Sequence, residues 1–161
     1  MADITVAMAM ATAWMDRAIE VAQQALPGDV PVGCIILDNS HQVISEGWNR
    51  RELDNSIIAH AEMLAIQQAN EKLGQWRLQA CTLVVTLEPC PMCASAIIQA
   101  RIGQVVFGAW DPVVGALGSA TDLRQLYWPG KPLADCGLQV LGGIEEARCR
   151  QLLTSFFEEK R

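Results

Sequence analysis

The chain has 161 residues, 51% of them hydrophobic and 19% charged, which suits one compact domain with a substantial core and excludes a disordered chain. Its formal net charge of −6 weighs against a broad electrostatic grip on nucleic acid, and no apolar run is long enough to cross a bilayer as a helix. The apolar stretch from Ile4 to Met15 carries Asp3 and no Lys or Arg ahead of it, so it lacks the basic region of a signal peptide. Residues 1–12 are read as an extension or frayed helix start, residues 13–161 as a single domain, and the protein as cytoplasmic.

In chain order, Trp14, Ala18, Ile19, Ala22 and Leu26 recur at helical spacing, and Pro27-Gly28 ends that helix. Val32 to Leu37 reads as a strand, Asp38-Asn39-Ser40 as a turn, and Gln42 to Trp48 as the second arm of an antiparallel hairpin. From His60 to Leu73 the spacing of Ala61, Leu64, Ala65 and Gln68 predicts a second helix, stopped by Gly74. Cys81 to Leu87 is apolar and rich in β-branched residues, as a buried strand should be. Pro89 then opens a third helix over Cys90 to Ala100. Gln104 to Phe107 and Leu138 to Leu141 read as two more strands, and Ile144 to Phe157 as a closing amphipathic helix. A hairpin followed by alternating helices and strands implies an α/β fold with a five-stranded mixed sheet between helices. The two motif-bearing helices would then start on either side of the central strand.

Cysteine use is divided. Cys34, Cys81, Cys136 and Cys149 stand singly among apolar neighbours and read as small core residues, since free cysteine is among the most buried residue types. Cys90 and Cys93 form a C-x-x-C at a helix start, where the helix N-terminus favours thiolates and two of them can grip one metal ion. A redox pair is the competing reading of that spacing. His60-Ala61-Glu62 decides against it. A zinc hydrolase needs a third ligand, a position left for water and a base beside that water; His60 supplies the ligand and Glu62 the base. Zinc would acidify the water, and Glu62 would take its proton and pass protons to the ring nitrogen and the departing ammonia. A structural zinc would use four protein ligands, and the one other histidine, His41, sits in a polar turn.

The pattern H-x-E followed by P-C-x-x-C is the signature of the zinc nucleobase deaminases. Beyond it, the chain resembles the bacterial tRNA-specific adenosine deaminases of the cytidine/deoxycytidylate deaminase superfamily, from about Trp14 to Phe157. The resemblance rests on Val30-Pro31-Val32-Gly33, Gly47-Trp48-Asn49-Arg50, Thr86-Leu87-Glu88-Pro89-Cys90, Arg101-Ile102-Gly103 and Val105-Val106-Phe107-Gly108-Ala109, with Asp111 and Gly115-Ala116-Leu117-Gly118-Ser119 following. It implies a three-layer α/β/α cytidine-deaminase-like fold, one zinc per subunit, and conversion of the wobble adenosine of a tRNA anticodon loop to inosine. It also implies that Asn49 contacts the flipped base or its ribose, that Val32 and the backbone of Ala61 line the base pocket, and that Asp111 lies where the anticodon loop enters. The family is homodimeric, with tRNA spanning both subunits.

Without the resemblance, Asn49 reads equally as a strand-end turn residue and Asp111, before Pro112, as a turn initiator. Arg50, Arg51, Lys72, Arg77, Arg124 and Lys131 are candidates for a local basic patch. Trp110 either stacks on a loop base or belongs to a dimer interface. A dimer interface is expected to include part of the apolar run from Val105 to Trp110 with Val113 and Val114, and to border both active sites. Two rival functions remain at this point: deamination of a free base or nucleoside such as guanine, cytosine or cytidine, and a zinc-stabilised RNA-binding module without activity, against which Glu62 speaks.

Overall fold

Five strands alternate with helices in the computed structural model, which describes the backbone of residues 2–160 and the side chains of residues 7–160. Helix α1 (Ala2–Ala22) runs into a 3-10 turn (Gln23–Ala25) and then the hairpin of β1 (Gly33–Leu37) and β2 (Val43–Trp48). Next come α2 (Ala61–Leu73), β3 (Thr82–Leu87), α3 (Pro91–Gln99) and β4 (Gln104–Ala109). A short α4 (Arg124–Tyr127), a second 3-10 turn (Leu133–Asp135), β5 (Gln139–Leu141) and α5 (Glu146–Glu159) complete the order. The sheet order is β2-β1-β3-β4-β5, antiparallel where β1 meets β2 and β3, parallel where β4 meets β3 and β5. The tight hairpin can only give antiparallel pairing, whereas the α3 crossover returns the chain parallel to β3. β3 is therefore central, as expected.

Both faces of the sheet are covered, so its strands read as apolar runs rather than clean alternation. Ile36, Leu83, Val85, Val105 and Phe107 face one way and pack on α2 and α3. Ile35, Leu37, Val84 and Val106 face the other way and pack on α1 and on Ile144 and Cys149 at α5. The result is the three-layer arrangement. No helix among the described residues is long and apolar enough to cross a membrane.

Several boundaries differ from expectation, each for a local reason. Of the two readings of residues 1–12, extension or helix start, the helix start matches: α1 begins at Ala2 and buries Ala11, and alanine and methionine there are strong helix formers. It ends at Ala22 instead of Leu26, in the 3-10 turn before Pro27. In the hairpin, Asp38 Oδ1 accepts N–H bonds from Ser40 at 2.8 Å and Gln42 at 3.0 Å, which lengthens the turn and delays β2 to Val43. The proline that opens α3 is Pro91, at its first position, with Cys90 as the flanking residue. Gln68 of α2 is exposed, its side-chain oxygen accepting the N–H of Glu46 at 2.8 Å; the buried stripe is Ala61, Ala65, Ile66 and Ala69. β4 extends to Ala109, and Val105, Val106, Phe107 and Ala109 are wholly buried in the chain's own core. These four residues are taken up by that core, and of the run part of which is expected at an interface, Trp110, Val113 and Val114 remain exposed. Trp110 packs edge-to-face on Phe107 at 4.7 Å between ring centres. The four single cysteines are free and buried.

One close approach sets where α2 begins. A Cβ on Gly47 of β2 would overlap the carbonyl oxygen of Ala61 and come within 2.8 Å of the Ala65 nitrogen. Only glycine in the strand, against alanines on the helix, lets the two backbones lie this close. Gly47→Ala is expected to destabilise the fold by about 1–3 kcal/mol, the usual cost of overpacking. Urea unfolding checks this, and an unchanged midpoint would show that α2 has room to move.

Candidate metal centre

Two helices start at the same place. His60 flanks the N-terminus of α2 and Cys90 that of α3, and neither side chain caps its own helix, so both are left to face one another. Cys93, one turn into α3, is buried behind them. His60 Nδ1 lies 3.5 Å from Cys93 Sγ and 3.8 Å from Cys90 Sγ, and the three candidate ligand atoms all lie within 4.8 Å of one another. Tetrahedral zinc with ordinary Zn–N and Zn–S bonds separates its nitrogen and sulfur ligands by about 3.6 Å. The residues therefore fit the metal, and among the described residues no fourth His, Cys, Asp or Glu joins the group.

The charges at the site are arranged for the same purpose. Hydrogen bonding from Cys93 first, and from His60 after it, holds the Cys90 thiol down at about 4, so it stands as a thiolate. The hydrogen bond to Cys90 and burial push Cys93 the other way. The Cys90 hydrogen bond raises His60. Both helix N-termini point at this spot, adding fixed positive potential where the negative charge gathers. Glu62, in the first turn of α2, is only 4% exposed. Burial above all, with the nearby Cys90 charge, raises its carboxyl to about 6.

These groups line a cavity of ≈ 200 Å³. His60, Ala61, Glu62 and Cys90 line it together with Val32, Asn49 and Asp111. All of the residues expected at the site are thus brought together, Cys93 lying just behind the surface. Asn49 is already engaged: its Nδ2 donates to the carbonyl of Val30 at 3.1 Å and its Oδ1 accepts the N–H of Arg51 at 3.2 Å. One amide hydrogen and one oxygen lone pair remain for a ligand. Asp111 is both turn initiator and wall. Its Oδ1 accepts from the N–H groups of Val113 and Val114 at 3.0 and 3.2 Å.

The basic residues do not form one patch. Arg50 pairs with Asp54 at 3.0 Å, Arg124 is buried against Asp122 at 2.7 Å, and Arg77 stacks on Trp76. Arg51 alone lines the cavity. Glu88 lines it too and was not singled out from sequence. It stands inside the quoted Thr86-Leu87-Glu88-Pro89-Cys90 segment, but its partners lie more than twenty residues downstream, where no local pattern announces them.

Residues 8–109 match the cytidine and deoxycytidylate deaminase zinc-binding region. The chain is similar to the tRNA-specific adenosine deaminase of Bacillus subtilis (strain 168), 42% identical over 149 residues that cover 92% of this chain and 89% of that one. A solved structure from work on A-to-I editing by tRNA:A34 deaminases at the wobble position of transfer RNA superposes with a TM-score of 0.76. It is 36% identical, over 88% of this chain and 99% of that one. The guanine deaminase of Nitrosomonas europaea superposes with a TM-score of 0.73 at 25% identity, over 90% of this chain and 83% of that one.

Removing one ligand tests the metal centre. His60→Ala leaves two thiols for a site that needs three protein ligands, and zinc per chain is expected to fall from near one to below about a tenth. Atomic absorption on folded protein measures it. Full zinc in that variant would take His60 out of the ligand set.

Proposed function

Because the chain belongs to the cytidine and deoxycytidylate deaminase family, and within it to the tRNA-specific adenosine deaminases, we propose that it converts the wobble adenosine of a tRNA anticodon loop to inosine by hydrolytic deamination in the cytoplasm. The observation that carries this reading is the meeting of His60, Cys90 and Cys93 with buried Glu62 in a cavity walled by Asn49 and Asp111. Zinc is the cofactor, one per chain, and we assign His60, Cys90 and Cys93 as its ligands.

When bound, zinc supplies Lewis acidity that brings the ionisation of water towards neutral pH. Glu62 moves the protons. With its carboxyl at about 6, it is a better base than an exposed carboxylate and is still mostly unprotonated near pH 7. It accepts a proton from the attacking water and delivers one to the ring nitrogen as the new carbon–oxygen bond forms. The second proton goes to the exocyclic amine as its carbon–nitrogen bond breaks. Adenosine and water enter, inosine and ammonia leave, and the protons balance. Val32 and the Ala61 backbone would hold the flipped base, Asn49 the base or ribose with its free donor and lone pair, and Asp111 would stand at the mouth. Arg51 would meet an RNA phosphate there.

Purified protein should therefore deaminate an anticodon stem-loop bearing wobble adenosine and leave free adenosine, guanine and cytosine untouched. Glu62→Gln should keep its zinc and lose at least about a hundredfold in rate, the scale of general acid–base catalysis. Turnover of free guanine or cytosine with the stem-loop intact would transfer the function to a small-base deaminase. Near-normal turnover by Glu62→Gln would assign the proton transfer elsewhere.

We also infer a homodimer, with tRNA bridging both copies. Ile58 before α2, Trp76 after it, and Leu126 and Tyr127 of α4 are exposed apolar residues, more than an isolated surface usually carries. Sedimentation at micromolar concentration should give twice the chain mass of 17.6 kDa, and a monomer would contradict the assignment.

A further inference from the structure

Glu88 is a buried charged group that the deamination chemistry leaves unused. It is 2% exposed, two positions before Cys90, and borders the cavity. Among the described residues no Lys, Arg or His pairs with it. Its partners are the chain itself. Oε1 accepts the N–H of Asp111 at 3.0 Å and the hydroxyl of Ser119, while Oε2 accepts the N–H groups of Leu117 at 3.1 Å and Ser119 at 3.0 Å. Four donors converge on two oxygens. A carboxylate can accept all four, whereas an amide of the same shape must turn N–H groups towards N–H groups.

The segment from Asp111 to Ser119 is thus wrapped around one buried anion. Gly115 lies at the inside of the wrap, where a Cβ would overlap both the Asp111 carbonyl and the Glu88 carboxyl. The Ala116 N–H bonds to the Pro89 carbonyl at 2.8 Å, closing the segment onto the turn that leads to Cys90. Asp111 and Val114, which line the cavity, are tied to each other within the segment, the Val114 N–H donating to Asp111 Oδ1 at 3.2 Å, and Glu88 ties Asp111 to the rest of the wrap. The segment carries the pocket wall on one side and its clamp on the other.

We propose that Glu88 is a positioning residue for substrate binding: it holds the 111–119 segment as the wall against which the RNA loop seats, without touching the reacting atoms. The inference rests on the proposed function, since it is an RNA loop that this wall would meet. Steady-state kinetics on the anticodon stem-loop test it, with zinc content measured on the same holoenzyme. Glu88→Gln leaves buried donors unpaired, and Gly115→Ala strains the clamp from the other side. Each is expected to raise KM by about tenfold or more, the scale of unsatisfied buried donors. Zinc should stay near one per chain and kcat within about threefold, a split that general loss of structure would not produce. Should Glu88→Gln fail to fold, Ser119→Ala removes one hydroxyl donor alone, and about a threefold rise in KM at unchanged kcat is expected. Unchanged KM in the folded variants, or a parallel fall of kcat and zinc, overturns the proposal. A wild-type protein that ignores the stem-loop overturns the proposed function and this inference with it; an active wild type with unaffected variants overturns this inference alone.

Discussion

The approach of the α2 and α3 N-termini to one another at the end of β3 is the constraint on which the site depends. Three ligand atoms have to gather within 4.8 Å although the histidine and the cysteines belong to different helices. Two helices meet so closely only if nothing bulky lies beneath them. Gly47 under Ala61 and Ala65 removes side-chain volume on the β2 side of α2. Ala94, buried at the start of α3, adds little volume to the core there. Having met, the two N-termini bring partial positive charge to one point, which favours the thiolates a metal requires. Packing and electrostatics therefore act in the same direction. The small residues bring the helix ends together, and the helix ends hold the charge.

Much of this was legible because the information is local. His60 and Glu62 share a first turn, Cys90 and Cys93 share another, and each pair's spacing needs only the period of a helix to interpret. The hairpin and β3 were equally plain, since short apolar runs bounded by turn residues have few other uses. What was not legible depends on distant partners. The sequence reading ends β4 at Phe107, but Leu87 of β3 pairs with Ala109 and draws the strand on, past Gly108 and Ala109, whose own strand propensity is weak. α4 is a single turn whose buried Arg124 is satisfied by Asp122, a pairing that resembles ordinary surface charge until the fold encloses it. Glu88 is the clearest case. A lone carboxylate before a proline says nothing by itself, and its meaning resides in backbone N–H groups of a segment with no periodic pattern at all.

The acidic composition gains a different meaning from the same observations. A net charge of −6 suggests a surface that repels RNA, but several of the acids are spent inside the protein. Asp29, 4% exposed, accepts the N–H groups of Glu52 at 2.7 Å and Leu53 at 3.1 Å and so holds the loop that carries Asn49 and Arg51. Glu88 holds the segment that carries Asp111 and Val114, and Glu62 lines the cavity itself. Asp16, Glu46, Asp54 and Asp122 are each matched by an arginine. Around the cavity mouth, then, negative charge is turned inward as hydrogen-bond acceptors, where it orders backbone and projects little field. Arg51 remains at the rim with no ion-pair partner among the described residues. Phosphate contacts respond to the charges within a Debye length of about 8 Å and not to the sum over a whole molecule. The acids that make the chain acidic are in part the ones that hold the two segments, carrying Asn49 and Asp111, at which an RNA loop would bind.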